Sequence, residues 1–234
     1  QGDLPARSGM GSSSSFVVGL MNSFSNIKKK NISKNDLAKK SIHFEQKILK
    51  EVVGIQDQIS ATYGGLNKVD IDQKGAYRIK KIKITNKIKE FNENLVLVFT
   101  GINRTANEIA GQYVSGLTKK KFEMKEISSQ VREGENLLLK NQFDDFGRLL
   151  HEGWKLKKSL GKVITNKKID ELYDFSLKHG ALGGKILGAG GGGFMLLYIP
   201  KKKMINFKKK LKKITIIPFK FYENGSEILL NTEK

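Results

Sequence analysis

Cysteine is absent from this 234-residue chain, which excludes disulfides, thiolate zinc sites and cysteine nucleophiles. Its three histidines, His43, His151 and His179, lie too far apart in sequence to form a local histidine metal cluster. No apolar run approaches the roughly 18 to 20 residues that span a bilayer, so no membrane partner is expected. The start, Gln1-Gly2-Asp3, lacks the basic region and apolar stretch of a signal peptide. Together with the missing cysteine, this points to the cytoplasm. Arginine is scarce too: five arginines stand among 43 basic residues, the rest being lysine.

That scarcity matters because the net charge is +20, a balance that raises nucleic acid as a partner. Arginine is the preferred residue for bidentate base and phosphate contacts, whereas lysine is the default solvated surface residue. Residues 201–213 carry eight lysines, but Met204, Phe207, Leu211 and Ile214 recur beneath them at spacings of three, four and three. The stretch reads as a surface helix with a lysine coat, and nucleic acid is left as a minor alternative. With 38% hydrophobic and 28% charged residues, the chain is expected to fold.

Along the chain, residues 5–15 read as a glycine-serine loop and residues 16–24 as a buried helix packed through small residues such as Gly19. Ser33 and Asp36 form a capping-box-like start for a helix running to about Val53, with Gly54 placed to end it. Residues 55–67 look turn-rich, residues 68–85 strand-like, and residues 95–99 a buried strand. Helices are expected at about 104–116, 122–140, 144–160 and 168–179, then a glycine cluster between apolar segments over 181–199. The lysine helix and a strand over 214–222 complete an α+β pattern without βαβ repetition. A domain boundary is expected near residue 94, giving domains 1–94 and 95–234.

Four features carry candidate chemistry. In the first loop, Gly9 and Gly11 allow close backbone approach, and Ser12, Ser13, Ser14 and Ser15 follow where a helix begins. A helix N-terminus offers unpaired N–H groups and partial positive charge, which suit phosphate. The required lysine of a Walker A loop is missing, and a flexible linker is the alternative. Glu45 occupies a gap in the apolar stripe Ala38, Ile42, Leu49 and Val52. An inward carboxylate is costly unless a cation, metal or donor meets it, so it is a ligand candidate or an internal salt bridge. Asp57, between Gln56 and Gln58, is either a helix cap or a carboxylate that orients or deprotonates a substrate hydroxyl. The cluster Gly188-Ala189-Gly190-Gly191-Gly192-Gly193 formally contains G-x-G-x-x-G, but it leads into a strand-like run, which argues against a dinucleotide fold.

These segments together resemble the GHMP kinases. Pro5-Ala-Arg-Ser-Gly-Met-Gly-Ser-Ser-Ser matches that family's second motif, with Met10 where leucine is usual and Ser14 where alanine is usual, and residues 185–193 resemble its third. The chain looks most like the bacterial D-glycero-D-manno-heptose 7-phosphate kinases, through Gln56-Asp-Gln, Tyr63-Gly-Gly-Leu-Asn, Phe99-Thr-Gly-Ile-Asn-Arg and Leu150-His-Glu-Gly-Trp-Lys. The resemblance implies a ribosomal-S5-like N-terminal domain, here incomplete, joined to a ferredoxin-like C-terminal domain. It implies that Ser8, Gly9, Met10, Gly11, Ser12, Ser13 and Ser14 wrap the phosphates of ATP. Ser13 and Glu45 would hold magnesium, and Asp57 would activate the anomeric hydroxyl of a sugar phosphate. Gly188, Ala189, Gly190 and Gly191 would border the sugar site. Arg104 and His151 are candidates for the sugar-phosphate end on chemical grounds.

The family's first motif and opening strands are not found in these residues, and Gln1 stands where methionine would begin a chain. The expectation is a truncated kinase with exposed sheet edges and little activity of its own. Kinases of fucose, galactose or an isoprenoid precursor, and a non-catalytic kinase fold, are the alternatives, and a homodimer is left open.

Overall fold

The computed structural model describes residues 9–84, 87–211 and 214–229. The chain divides into two compact units: one comprises Gly11–Lys81 with the stretch returning from Phe221, the other Ile82–Lys220 with Gly9 and Met10. Helices and antiparallel strands alternate irregularly, the α+β class that the sequence predicts.

The first unit opens with α1 (Ser12–Ile27), which starts four residues earlier than its apolar pattern suggests because the serine run is already helical. The expectation of a buried helix is corrected: Val17 and Val18 are buried, while Phe16, Leu20, Phe24 and Ile27 are exposed. Nor is Gly19 a packing point, since nothing lies within 4 Å of where its Cβ would stand.

Helix α2 (Lys34–His43) starts as predicted, with the Ser33 hydroxyl accepting from the Asp36 N–H at 3.1 Å. It does not run to Val53. A π-helical turn (Phe44–Ile48) follows, and Lys50 then turns left-handed at φ 55°. The wider turn shifts the helical register, so Leu49 and Val52 leave the expected stripe and face solvent.

The turn-rich reading of residues 55–67 is also corrected, because α3 (Gln56–Tyr63) lies there. Its buried face is Gln58, Ile59 and Thr62, so two polar residues hide the apolar periodicity. The three helices pack pairwise around Val17, Val18, Leu37, Ala38 and Ile59. An antiparallel hairpin, β1 (Asn67–Ile71) and β2 (Tyr77–Lys81), follows with Val69 opposite Ile79.

The returning stretch is tied into this unit at several points. The Asn22 amide donates to Ser226 Oγ at 3.0 Å, Lys34 Nζ to the Asn224 carbonyl at 2.5 Å, and the Gly65 N–H to the Tyr222 carbonyl at 2.6 Å. Gly64 lies so close to Gly225 that a Cβ would stand 2.2 Å from its nitrogen.

In the second unit, α4 (Ile88–Glu93) leads into β3 (Leu95–Phe99), the buried strand expected there. Helices α5 (Ala106–Val114), α6 (Lys121–Leu139), α7 (Phe143–Ser159) and α8 (Lys167–Lys178) fall within one or two residues of their expected bounds. Strands β4 (Gly183–Ile186) and β5 (Phe194–Tyr198), helix α9 (Lys201–Lys210) and strand β6 (Ile216–Ile217) complete the unit. The sheet order is β4-β5-β3-β6, all antiparallel, with Val96 opposite Leu197 and Val98 opposite Met195.

Those four residues belong to a core completed by Trp154 of α7, Ile169, Leu172 and Tyr173 of α8, and Met204 and Phe207 of α9. The lysine helix is amphipathic as read. The final strand is far shorter than the nine residues expected over 214–222: Ile216 and Ile217 pair with Val98 and Leu97 of β3.

Candidate active site

In the first unit, α1 begins at Gly11, whose φ of 67° is left-handed and open to glycine at little cost. Among the described residues no side chain caps this end, and no acidic residue lies in its first turn, so its first N–H groups suit an anion. A Cβ on Gly11 would stand 3.1 Å from Asp57 Cγ and 3.3 Å from Asp57 Oδ2. The Asp57 carboxylate, on the first turn of α3, is thereby held directly against the loop backbone. The capping alternative fails in detail, since Ile55 is the N-cap residue of α3.

Glu45 is fully buried, as its place in the stripe predicts. The π-helical turn supplies the physical means: it places Glu45 on the inner face between α1 and α3. Ser14 Oγ lies 2.9 and 3.1 Å from the two carboxylate oxygens, Ser13 Oγ lies 3.5 Å from one, and the Gln58 amide donates to the other. Ser14 is therefore the closer serine partner. Ser13 is solvent-exposed at the rim.

The internal salt bridge is not formed among the described residues: neutral donors surround this carboxylate. A buried anion with hydroxyl neighbours and no ion pair there is a donor set that suits a hard divalent cation such as magnesium. No cluster of three or more acidic or histidine residues able to hold a metal occurs among the described residues, so phosphate oxygens and water would have to complete the shell.

In the second unit, the glycine cluster is pinned by its own protein. The Gly191 N–H donates to the Ile164 carbonyl at 2.8 Å, and Asn166 Nδ2 to the Gly191 carbonyl at 3.2 Å. A Cβ on Gly190 would stand 2.8 Å from the Ile164 carbonyl oxygen, which accounts for glycine there without a ligand. Ala189 is a half-buried turn residue. Arg104 is buried; its Nη2 donates to the Leu187 carbonyl at 3.2 Å and lies 2.7 and 3.0 Å from the Cβ positions of Gly9 and Gly188. Lys157 reaches the same loop, with Nζ 2.5 Å from the Gly188 carbonyl oxygen.

The structure thus gathers Gly9, Arg104, Gly188 and Lys157. Met10 is half-buried next to Gly9, and Ser8 lies outside the described residues. His151 takes part elsewhere: its Nδ1 pairs with the Tyr173 hydroxyl at 2.8 Å, and the two rings stack. Burial first, and Lys155 second, hold its imidazole below the usual histidine range.

Two residues were missed in the sequence. Gln58 stands beside Asp57 in Gln-Asp-Gln, and a polar residue at a buried helical position was its signal. Lys157 is one lysine among 38 and carried none.

Comparison with known proteins agrees with these features. The family profile "GHMP kinases N terminal domain" matches residues 1–65 and "GHMP kinases C terminal" matches residues 135–214. The chain is 30% identical over 214 residues to a D-glycero-alpha-D-manno-heptose 7-phosphate kinase of Campylobacter jejuni, covering 90% of this chain and 63% of that protein. It is 27% identical over 212 residues to a mevalonate kinase of Methanocaldococcus jannaschii, covering 90% and 64%. The crystal structure of a D-glycero-D-manno-heptose 1-phosphate kinase from Bacteroides thetaiotaomicron superposes with a TM-score of 0.76 at 25% identity, covering 95% of this chain and 64% of that one. The chain spans a little under two thirds of the length of each. With both family profiles matched in order, and Gly11, the serine run, Glu45 and Asp57 folded into one unit, the chain belongs to the GHMP kinase family.

Proposed function

We propose that the protein is a kinase that transfers the γ-phosphoryl group of ATP to the anomeric hydroxyl of a sugar phosphate, D-glycero-D-manno-heptose 7-phosphate. The observation that carries this reading is the placement of Asp57 against Gly11, which sets a carboxylate beside the unpaired N–H groups that open α1. Those N–H groups, with Ser12 and Ser13, bind phosphate oxygens. Asp57 orients the acceptor hydroxyl and takes its proton as that oxygen bonds to the γ-phosphorus and ADP leaves. Glu45 and Ser13 hold magnesium, with Ser14 supporting Glu45 from α1. When bound, the ion supplies charge neutralisation on the phosphates.

On the second unit, Arg104 is the group suited to a sugar phosphate, and the loop of Gly188, Ala189, Gly190 and Gly191 lies beside it. His151, whose burial disfavours its charged form, is the weaker phosphate partner of the two. The 30% identity to the Campylobacter heptose 7-phosphate kinase supports the substrate class.

Phosphorus NMR with magnesium, ATP and one acceptor at a time tests the reading. The expected result is ADP and a new anomeric phosphate signal with the heptose 7-phosphate, and none with fucose, galactose or mevalonate. Product with a neutral sugar instead would move the assignment within the family. Failure to bind magnesium–ATP at all would overturn the reading.

A further inference from the structure

Gln58 and Asp57 are neighbours on the first turn of α3, yet their side chains go to different places. Asp57 lies against the loop at Gly11, while Gln58 turns inward, wholly buried, and donates its amide to Glu45. Its other terminal atom, Oε1, is buried and meets no hydrogen-bond donor among the described residues.

Stability alone gives no reason for a glutamine here. Leucine or methionine would fill the same space without burying an amide, and burying a polar group half-satisfied is unfavourable. The arrangement around Glu45 explains it better. Ser14 from α1 and Gln58 from α3 converge on one carboxylate carried by the π-helical turn, and such turns recur at functional sites. Both donors are neutral. They fix both carboxylate oxygens in place and leave the negative charge uncancelled, as a cation-binding group requires. A lysine or arginine at position 58 would fix the carboxylate equally well and abolish its charge. The Oε1 atom then has a natural partner in the water that a hydrated magnesium ion retains.

We propose that Gln58 is a positioning residue: it orients Glu45 for a hydrated divalent cation and reserves its carbonyl oxygen for a donor that arrives with that ion. The inference rests on the magnesium reading of Glu45 given above. Hydrogen-bond partners of metal ligands typically contribute about 10- to 100-fold in metal affinity.

The test is a calorimetric titration of the full chain with a non-hydrolysable ATP analogue, with and without Mn2+ as the probe for magnesium. The readout is the ratio of the two affinities, which isolates the contribution of the metal from that of the nucleotide. In Gln58→Met the ratio is expected to fall about tenfold while metal-free binding stays within about twofold. A ratio unchanged in Gln58→Met but collapsed in Glu45→Gln overturns the positioning role and leaves Glu45 as the metal ligand. A ratio unchanged in both removes the metal from this site, and the proposal with it.

A second variant guards against misfolding of the first. Gln58→Glu sets two carboxylates face to face, so the thermal midpoint of the metal-free chain falls at pH 8 and Mn2+ with the analogue restores it. A midpoint indifferent to the metal overturns the proposal by an independent route.

Discussion

Gly11 and Asp57 compete for one small volume: the hydrogen that Gly11 carries in place of a Cβ is what lets the Asp57 carboxylate rest 3.1 Å from that position. The proposed phosphate loop and the proposed base thus share one contact, and substitutions at either residue are felt at the other.

Gly11→Ala is the direct probe. The left-handed φ of 67° costs an alanine about 1 to 2 kcal/mol, and the added methyl pushes on Asp57. The thermal midpoint should fall by several degrees, and turnover should fall further than the loss of folded protein explains. Calorimetry paired with a coupled ADP assay separates the two; a loss of turnover no larger than the loss of folded protein would sever the loop from the base.

Asp57→Asn keeps the shape and removes the proton acceptor. Turnover is expected to drop by about 10^2 to 10^4, with nucleotide affinity held within roughly threefold. Turnover within tenfold of the parent would remove Asp57 from the chemistry.

The pH dependence of stability follows from His151. Burial lowers its pKa below the ordinary histidine value of 6.5, so protonation is harder in the folded chain than in the unfolded one. Between the lowered value and 6.5 the unfolded chain binds more protons, so stability rises with pH through that window. Its contribution is complete above about pH 7 and is lost on acidification. Replacing His151 by glutamine should flatten the thermal midpoint between about pH 5 and 7; a curve as steep as the parent's would assign the dependence to other groups.

Gly147→Ala tests packing in the second unit. A Cβ there would stand 2.5 Å from Tyr198 Cδ1, in a core where the Tyr198 hydroxyl already donates to Asp144 at 2.8 Å. Overpacking of this kind costs about 1 to 3 kcal/mol, read as a lower urea midpoint with unchanged slope. An unshifted midpoint would show that α7 can move away from β5 without cost.

How far the sequence could be read varied with the physics of each segment. Strand β3 was plain because four of its five residues are buried apolar side chains, and α7 and α8 because one apolar face recurs at helical spacing. Helix α3 was invisible for the opposite reason: two of its three buried residues, Gln58 and Thr62, are polar. Glu45 was legible as an interruption in an apolar stripe, although half of that stripe, Leu49 and Val52, then proved to be exposed. The π-helical turn that causes both facts leaves no periodic trace, because it changes the period itself. Arg104 was chosen by chemistry alone and lies beside Gly9 and Gly188; Lys157 beside it was hidden by sheer lysine abundance.

The stretch that returns from Phe221 has a consequence for synthesis. Its bonds to Asn22, Lys34 and Lys81 join positions 204, 190 and 142 residues apart, so they close very long loops. On the ribosome, the sheet and helices of the second unit emerge in full before the unit bearing Glu45 and Asp57 receives its last strap. The proposed phosphate-handling unit is thus begun before the second unit and closed after it. A nascent chain with residues up to 220 clear of the ribosome would therefore carry a compact second unit and an unfinished first one, and pulse proteolysis of such chains would cut preferentially before Lys81.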